Sequence, residues 1–416
     1  MANNFVPEQS VPKANGDEIP LAFAEDSTLF TGVYAMPLAS TTTPSSRVRL
    51  TPEQESKLQN MGFPPGLREE LIESVANSPT RFWVIDNSGS MWENDGKCLR
   101  GKGKDTQLIP CTRWAEMQST VDEHAELAGL LEATTVFHML NHPADPSVPH
   151  EFSIAEHGSQ DIQANIDTAR QAMLSCQPQG PTPLTERLLG IREKVEAISP
   201  MLESQGKRAV VVLATDGIPT DAYGGTSPEA SQEFIQVLRS LQDFPVWLVI
   251  RLCTGEEETC KFYNSLDKEL ELPLEVLDDH VAEAKEVGKL NGWLNYGLPI
   301  HRTRELGYTH RLFDLLDERE LNKDEVKEFL ELLFGAPAIA GAPDVHKDWR
   351  GFLKVVTRVV KAHKLQWNPK THKMEPWVNV TKLDKAFREK MGLFARIGSS
   401  ARRTGAANSS SRSFLK

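Results

Sequence analysis

The sequence predicts an α/β chain. It has a doubly wound, mostly parallel sheet with a helical lead-in before it and a mixed, mainly helical, basic region after it. Three observations carry that prediction. Short apolar blocks such as RFWVI (81–85), RAVVVLAT (208–215) and PVWLVIRL (245–252) alternate with helix-patterned stretches. Parallel strands need crossover connections of that kind, and helices then cover both sheet faces. The alternation begins only after two helical stretches and stops near residue 290, where the apolar blocks give way to amphipathic helices.

Residues 1–50 are rich in Pro, Ser, Thr and Asn and read as a mobile arm. The lead-in spans 51–79. Thr51-Pro52-Glu53-Gln54 is a helix start, with Thr51 as cap, Pro52 in the first turn and Gln54 closing a capping box. That helix breaks at Met61-Gly62-Phe63-Pro64-Pro65, and a second helix covers 66–77. The sheet domain is expected over 80–290. Its strands are 81–85, 134–140, 148–155 (antiparallel to the preceding one), 208–215, 245–252 and 274–277. Its helices are 114–131, 162–174, 183–202, 228–241, 256–270 and 280–291. The stretch 91–112 reads as a long loop. A C-terminal subdomain over 291–390 begins with helices at 303–316 and 324–334. A linker-like stretch (335–343), a basic helix (349–361) and two short strands within 365–380 follow. Residues 391–416 read as a disordered basic tail.

Charge is distributed unevenly. The 416 residues carry a net charge of −12, yet residues 344–416 hold 17 Lys and Arg against 5 Asp and Glu, or +12, leaving −24 on the rest. An acidic body argues against nucleic-acid binding by the sheet domain. The basic end includes Trp349, Phe352, Leu353, Val356, Trp367 and Trp377, so self-docking on the body is expected rather than a solvated polybasic tail. No apolar run approaches the ~20 residues of a membrane span. The first residues have neither a basic nor an apolar signal region. Five cysteines are too few for a disulfide scaffold. The expectation is an intracellular, cytoplasmic chain with reduced thiols.

Three segments stand where strands or loops meet the carboxyl edge of the sheet. They are Asp86-Asn87-Ser88-Gly89-Ser90 after RFWVI, Gly180-Pro181-Thr182-Pro183 before a helix, and Thr215-Asp216-Gly217 after VVVLA. In such sheets ligands bind beyond the carboxyl ends of the strands. Two carboxylates and three hydroxyls form an all-oxygen set, suited to a hard cation such as Mg²⁺.

This pattern resembles the von Willebrand factor A (vWA) domain, a Rossmann-like fold, and its metal-ion-dependent adhesion site (MIDAS). The resemblance covers about residues 80–290. Asp86, Ser88 and Ser90 match Asp-x-Ser-x-Ser. Thr182 matches the later threonine, with Pro181 in place of a common glycine, and Asp216 matches the aspartate that precedes Gly. The resemblance implies that Ser88, Ser90 and Thr182 ligate the ion directly, while Asp86 and Asp216 act directly or through water. It implies Mg²⁺, or Mn²⁺ or Ca²⁺, whose open position takes an Asp or Glu of a partner protein. Thr185 is a competing hydroxyl within the helix that Thr182 is expected to cap. A departure from the family is the insertion at 91–112, which should lie on the metal face with Trp92 as a contact or packed beneath the loop.

Other motifs point elsewhere and are set aside. Gly96–Gly103 imitates a phosphate loop, but it has Gly103 where a Ser or Thr must hold Mg²⁺. His138, His142, His150 and His157 lack the Cys or acidic partners of a zinc set. No nucleophile with a general base is identifiable, so the expected role is protein binding and not catalysis. The alternatives are a subunit of an enzyme complex, as in chelatase-type assemblies, or a scaffold that binds an anionic surface through its basic end.

Overall fold

The computed structural model describes residues 50–101, 103–221, 223–270 and 272–388. The expected arm (all but Leu50) and the expected tail lie outside the described residues. The lead-in consists of α1 (Pro52–Asn60) and α2 (Pro65–Asn77). Thr51 Oγ1 accepts from Gln54 N at 3.2 Å and Gln54 Oε1 accepts from Thr51 N at 2.7 Å, which is the capping box.

The chain continues through β1 (Thr80–Ile85), β2 (Gly96–Arg100), β3 (Gln107–Cys111), α3 (Arg113–Leu131), β4 (Thr134–Met139), β5 (Glu151–Ile154), α4 (Ile162–Ser175) and α5 (Leu184–Ser204). It then forms β6 (Ala209–Thr215), α6 (Pro228–Ser240), β7 (Val246–Leu252), α7 (Glu257–Glu269), β8 (Leu274–Leu277) and α8 (His280–Leu290). The six-stranded sheet has the order β5-β4-β1-β6-β7-β8. Every pairing in it is parallel except β4 with β5.

Strand alternation separates two cores. In β6, Ala209, Val211 and Leu213 face α5, α6 and α7, among them Leu188, Phe234 and Tyr263. Val210, Val212 and Ala214 face α3 and α4, among them Val121, Ala125 and Ala169. Both faces of β6 are fully buried, and so the strand reads as one apolar block rather than an alternation.

The remainder comprises α9 (Leu298–Glu305), α10 (Arg311–Glu318), α11 (Lys323–Phe334), α12 (Ala336–Ile339), α13 (Trp349–Ala362), β9 (Gln366–Asn368) and β10 (Lys373–Glu375). A third core joins this region to the lead-in and to the end of α3. Leu58, Leu67 and Leu71 pack there with Leu127, Phe313, Phe329, Phe352 and Val356. No described helix is long and apolar enough to cross a membrane.

Three expectations need correction. The insertion at 91–112 is not a plain loop: β2 and β3 form an antiparallel hairpin. The single helix expected at 303–316 is two, α9 and α10, parted by Gly307 at φ +80°. A side chain at Gly307 would fall 2.5 Å from Val210 Cγ1, so the chain turns there against the sheet. The linker-like 335–343 contains α12, which buries Ile339.

Candidate metal centre

β1 and β6 are parallel neighbours, so their carboxyl ends bring Asp86 and Asp216 to one edge. Asp86 N donates to Ala214 O at 2.9 Å, extending the ladder by one residue. Both carboxylates are buried, Asp86 completely. Asp86 Oδ1 accepts from Ser88 N at 2.8 Å and Oδ2 accepts from Thr215 Oγ1 at 2.6 Å. The first bond closes a local turn after β1, of the kind Asp makes with the backbone two residues on.

From that turn the hydroxyls run in a line. Ser88 Oγ lies 3.0 Å from Ser90 Oγ, and Ser90 Oγ donates to Asp216 Oδ1 at 2.8 Å. Four of the five residues picked from the sequence therefore share one hydrogen-bonded chain. Thr182 stands beside it: its Oγ1 is 3.3 Å from where a β-carbon on Gly217 would sit, and the residue is buried. Its segment is tied in through Gly89 N, which donates to Gly180 O at 3.0 Å, and Gln179 N, which donates to Asn87 O at 2.7 Å. Thr182 does not cap α5 as expected. The cap position is Pro183, and the Thr182 carbonyl accepts from Leu184 N at 2.8 Å. Thr185 Oγ1 is buried with no hydrogen-bond partner among the described residues.

Burial raises the Asp86 carboxyl to about 6, and the nearby charge of Asp216 pushes the same way against the hydrogen bonds from Thr215 and Ser88. Two carboxylates under that mutual repulsion, surrounded by hydroxyl oxygens, are a donor set that a hard divalent cation fits.

Two residues of the centre escaped the sequence reading. Thr215 stands in the sequence simply as the residue before Asp216, yet it supplies a donor to Asp86. Arg113, in the first turn of α3, donates from Nη1 to Asp216 Oδ2 at 2.8 Å. It also holds Asp95 through Nε at 2.7 Å and Nη2 at 2.8 Å, and Glu256 through Nη2 at 2.9 Å. Burial works to lower this guanidinium's pKa, but the three carboxylates outweigh it and keep it charged. No pattern in the sequence joins Arg113 to Asp216, which lie 103 positions apart. Trp92 is 46% exposed, and its Nε1 donates to Pro178 O at 2.9 Å, so it is both pinned and open.

The rejected motifs have structural explanations. The phosphate-loop mimic is mostly β2 of the hairpin. His138 Nδ1 pairs with Glu151 at 3.1 Å, and the His142 and His150 rings stack at 3.8 Å. Among the described residues no three His, Cys, Asp or Glu side chains gather as a metal-binding group.

No family model and no curated protein matches the chain. A solved structure described as the crystal structure of the SpRpn10 VWA domain is similar to it. The two are 13% identical, the match covers 48% of this chain and 87% of that one, and the TM-score is 0.29.

Proposed function

We propose that this chain is a metal-dependent protein-binding module of the vWA type. Mg²⁺, or Mn²⁺ or Ca²⁺ in its place, would be held by Ser88, Ser90 and Thr182, with Asp86 and Asp216 acting directly or through water. The observation that carries this reading is the unbroken chain Asp86–Ser88–Ser90–Asp216 at the carboxyl edge of the sheet. When bound, the ion supplies a strong local positive charge that an Asp or Glu of a partner can complete.

The protein's own residues prepare that contact. Thr215 and the Ser88 amide fix Asp86 from both oxygens. Arg113 already neutralises one oxygen of Asp216. With one carboxylate so engaged, a bound divalent ion keeps surplus charge for an external carboxylate. Trp92, two residues after Ser90 and held to Pro178 O, and Asp95 at the base of the hairpin, held by Arg113, would shape what approaches.

The test is calorimetric titration of the full chain with Mg²⁺, for the parent and for Asp86→Ala/Asp216→Ala. Binding in the parent and none in the double variant is expected. Equal binding in both would discard the assignment. Partner capture with Mg²⁺ and with chelator then separates the metal-dependent reading from a scaffold that uses other surfaces.

A further inference from the structure

Cys98 in β2 and Cys111 in β3 bring their Sγ atoms to 2.8 Å. The register places Cys111 opposite Gly96, and Cys98 opposite Ile109. The two cysteines are thus diagonal neighbours on one face of the hairpin, a separation that cross-strand side chains span. The other three cysteines have different partners: Cys176 Sγ accepts from Asn87 Nδ2 at 3.4 Å, and Cys253 and Cys260 approach backbone carbonyls.

We propose that Cys98 and Cys111 form a reversible dithiol–disulfide modification site, closed by a small-molecule disulfide of the glutathione type. Cys98 is 4% exposed and Cys111 is partly exposed, so Cys111 meets the oxidant. Its thiolate attacks one sulfur of the oxidant, forming a mixed disulfide and releasing one small thiol. The Cys98 thiolate then attacks the Cys111 sulfur, forming the Cys98–Cys111 bond and releasing the second thiol. Two protein thiols lose two protons and two electrons, and the oxidant is reduced to two thiols. Burial raises both cysteine thiols, so the exchange runs through a small thiolate fraction and quickens as pH rises.

The bond would lock a hairpin tied to the metal centre at its base. Asp95 precedes β2 and is held by Arg113. Lys97 Nζ binds Asp279 Oδ2 at 2.9 Å. The hairpin tip, Gly103–Asp105, meets β10 of the C-terminal region. Oxidation therefore stiffens a strut between the sheet edge and that region.

The experiment equilibrates the full chain in glutathione buffers stepped from reduced to oxidised. Free thiols are trapped by alkylation, and tryptic peptides are mapped without reduction. At the oxidised end the Cys98 and Cys111 peptides are expected as one linked species that parts on reduction. The linked form should exceed the mixed disulfides by about tenfold or more, because the second thiol is intramolecular. In Cys98→Ser, Cys111 should stop at the glutathione adduct, and the buried Cys98 of Cys111→Ser should be modified more slowly than the Cys111 of Cys98→Ser. Alkylation of both cysteines at every buffer ratio would overturn the proposal. So would glutathione adducts without the link, or a bond from either to Cys176, Cys253 or Cys260.

Discussion

Arg113 Nη1 donates to Asp216 Oδ2 at 2.8 Å, while Ser90 Oγ donates to Asp216 Oδ1 at the same distance. One carboxylate thus joins a fixed guanidinium to the hydroxyl chain of the candidate metal centre. The arginine is 3% exposed and the Asp216 side chain 0%. Removing one partner of such a buried pair strands the other charge.

Arg113→Gln should therefore lower stability in chelator by ~3–5 kcal/mol. The same variant should gain more from Mg²⁺ than the parent does, since the ion would then supply the only cation beside Asp86 and Asp216. Thermal melts of both proteins, with chelator and with excess Mg²⁺, read this out. An equal Mg²⁺ shift in the two would mean that Arg113 and the metal do not share Asp216.

Thr215→Val keeps the shape of the side chain and removes its donor. Asp86 Oδ2, fully buried, would lose the 2.6 Å bond from Thr215 Oγ1. A bare buried acceptor costs ~1–3 kcal/mol. Urea unfolding in chelator should show that loss, with weaker Mg²⁺ binding alongside it because one restraint on Asp86 is gone. Thr215→Ser, which retains the hydroxyl, should recover most of both.

The sheet and the acidic half of the centre were legible because both depend on local sequence. β6 and β7 are apolar apart from Thr215 and Arg251, since helices cover both faces, and Asp86 and Asp216 stand directly after strands. Arg113, by contrast, reaches its partner only through the tertiary packing of α3 beside β6. The α9–α10 break was hidden for a related reason. Thr303 to Leu316 keeps helical apolar spacing across Gly307, and what bends the chain there is the contact with Val210 and the carbonyl of Leu306, which accepts from buried Arg81 Nε at 3.0 Å. The hairpin at 96–111 was missed because its strands carry Gly, Lys, Arg and Pro and expose much of their length.

Gly307→Ala tests that bend. A side chain there meets both a left-handed φ and the Val210 methyl groups. The cost should be ~2–4 kcal/mol, above the ordinary penalty for alanine at positive φ because a clash adds to it. A denaturation midpoint equal to the parent's would mean that the α9–α10 turn is not pressed against β6.

His280 predicts a pH dependence. Burial, with the nearby charge of His301, lowers its imidazole to about 3, and Nε2 donates to Tyr296 O at 3.0 Å. An unfolded histidine titrates near ~6.5. The unfolded chain therefore binds the extra proton first as pH falls. The stability His280 contributes is complete above ~6.5 and is lost progressively toward pH 3, at up to ~1.4 kcal/mol per pH unit. Urea midpoints measured from pH 7 to 4 should fall, and His280→Gln should flatten part of that slope. Buried His124 and His301, also lowered by burial, keep the remainder.

The basic C-terminal region makes the last prediction, because α13 separates charge from burial by position. Phe352, Leu353, Val356, Val359 and Val360 face inward at helical spacing, and Phe352 and Val356 are completely buried beside α1, α2 and α11. Lys354, Arg358 and Lys361 on the same helix are exposed. If the helix belongs to the core, Phe352→Ala should cost ~3–5 kcal/mol, as large-to-small changes at filled sites do. Lys354→Ala, Arg358→Ala and Lys361→Ala should each stay within ~0.5 kcal/mol. The same three lysine and arginine changes also address the anionic-surface alternative, since they lower the charge of the exposed face without touching the core. Sedimentation of the full chain with phosphatidylserine vesicles at low and high salt, for the parent and the triple variant, measures that face directly. No vesicle binding in either, together with the large effect of Phe352→Ala, assigns α13 to holding the fold. Salt-sensitive binding in the parent, lost in the triple variant, would give its outer face a second role.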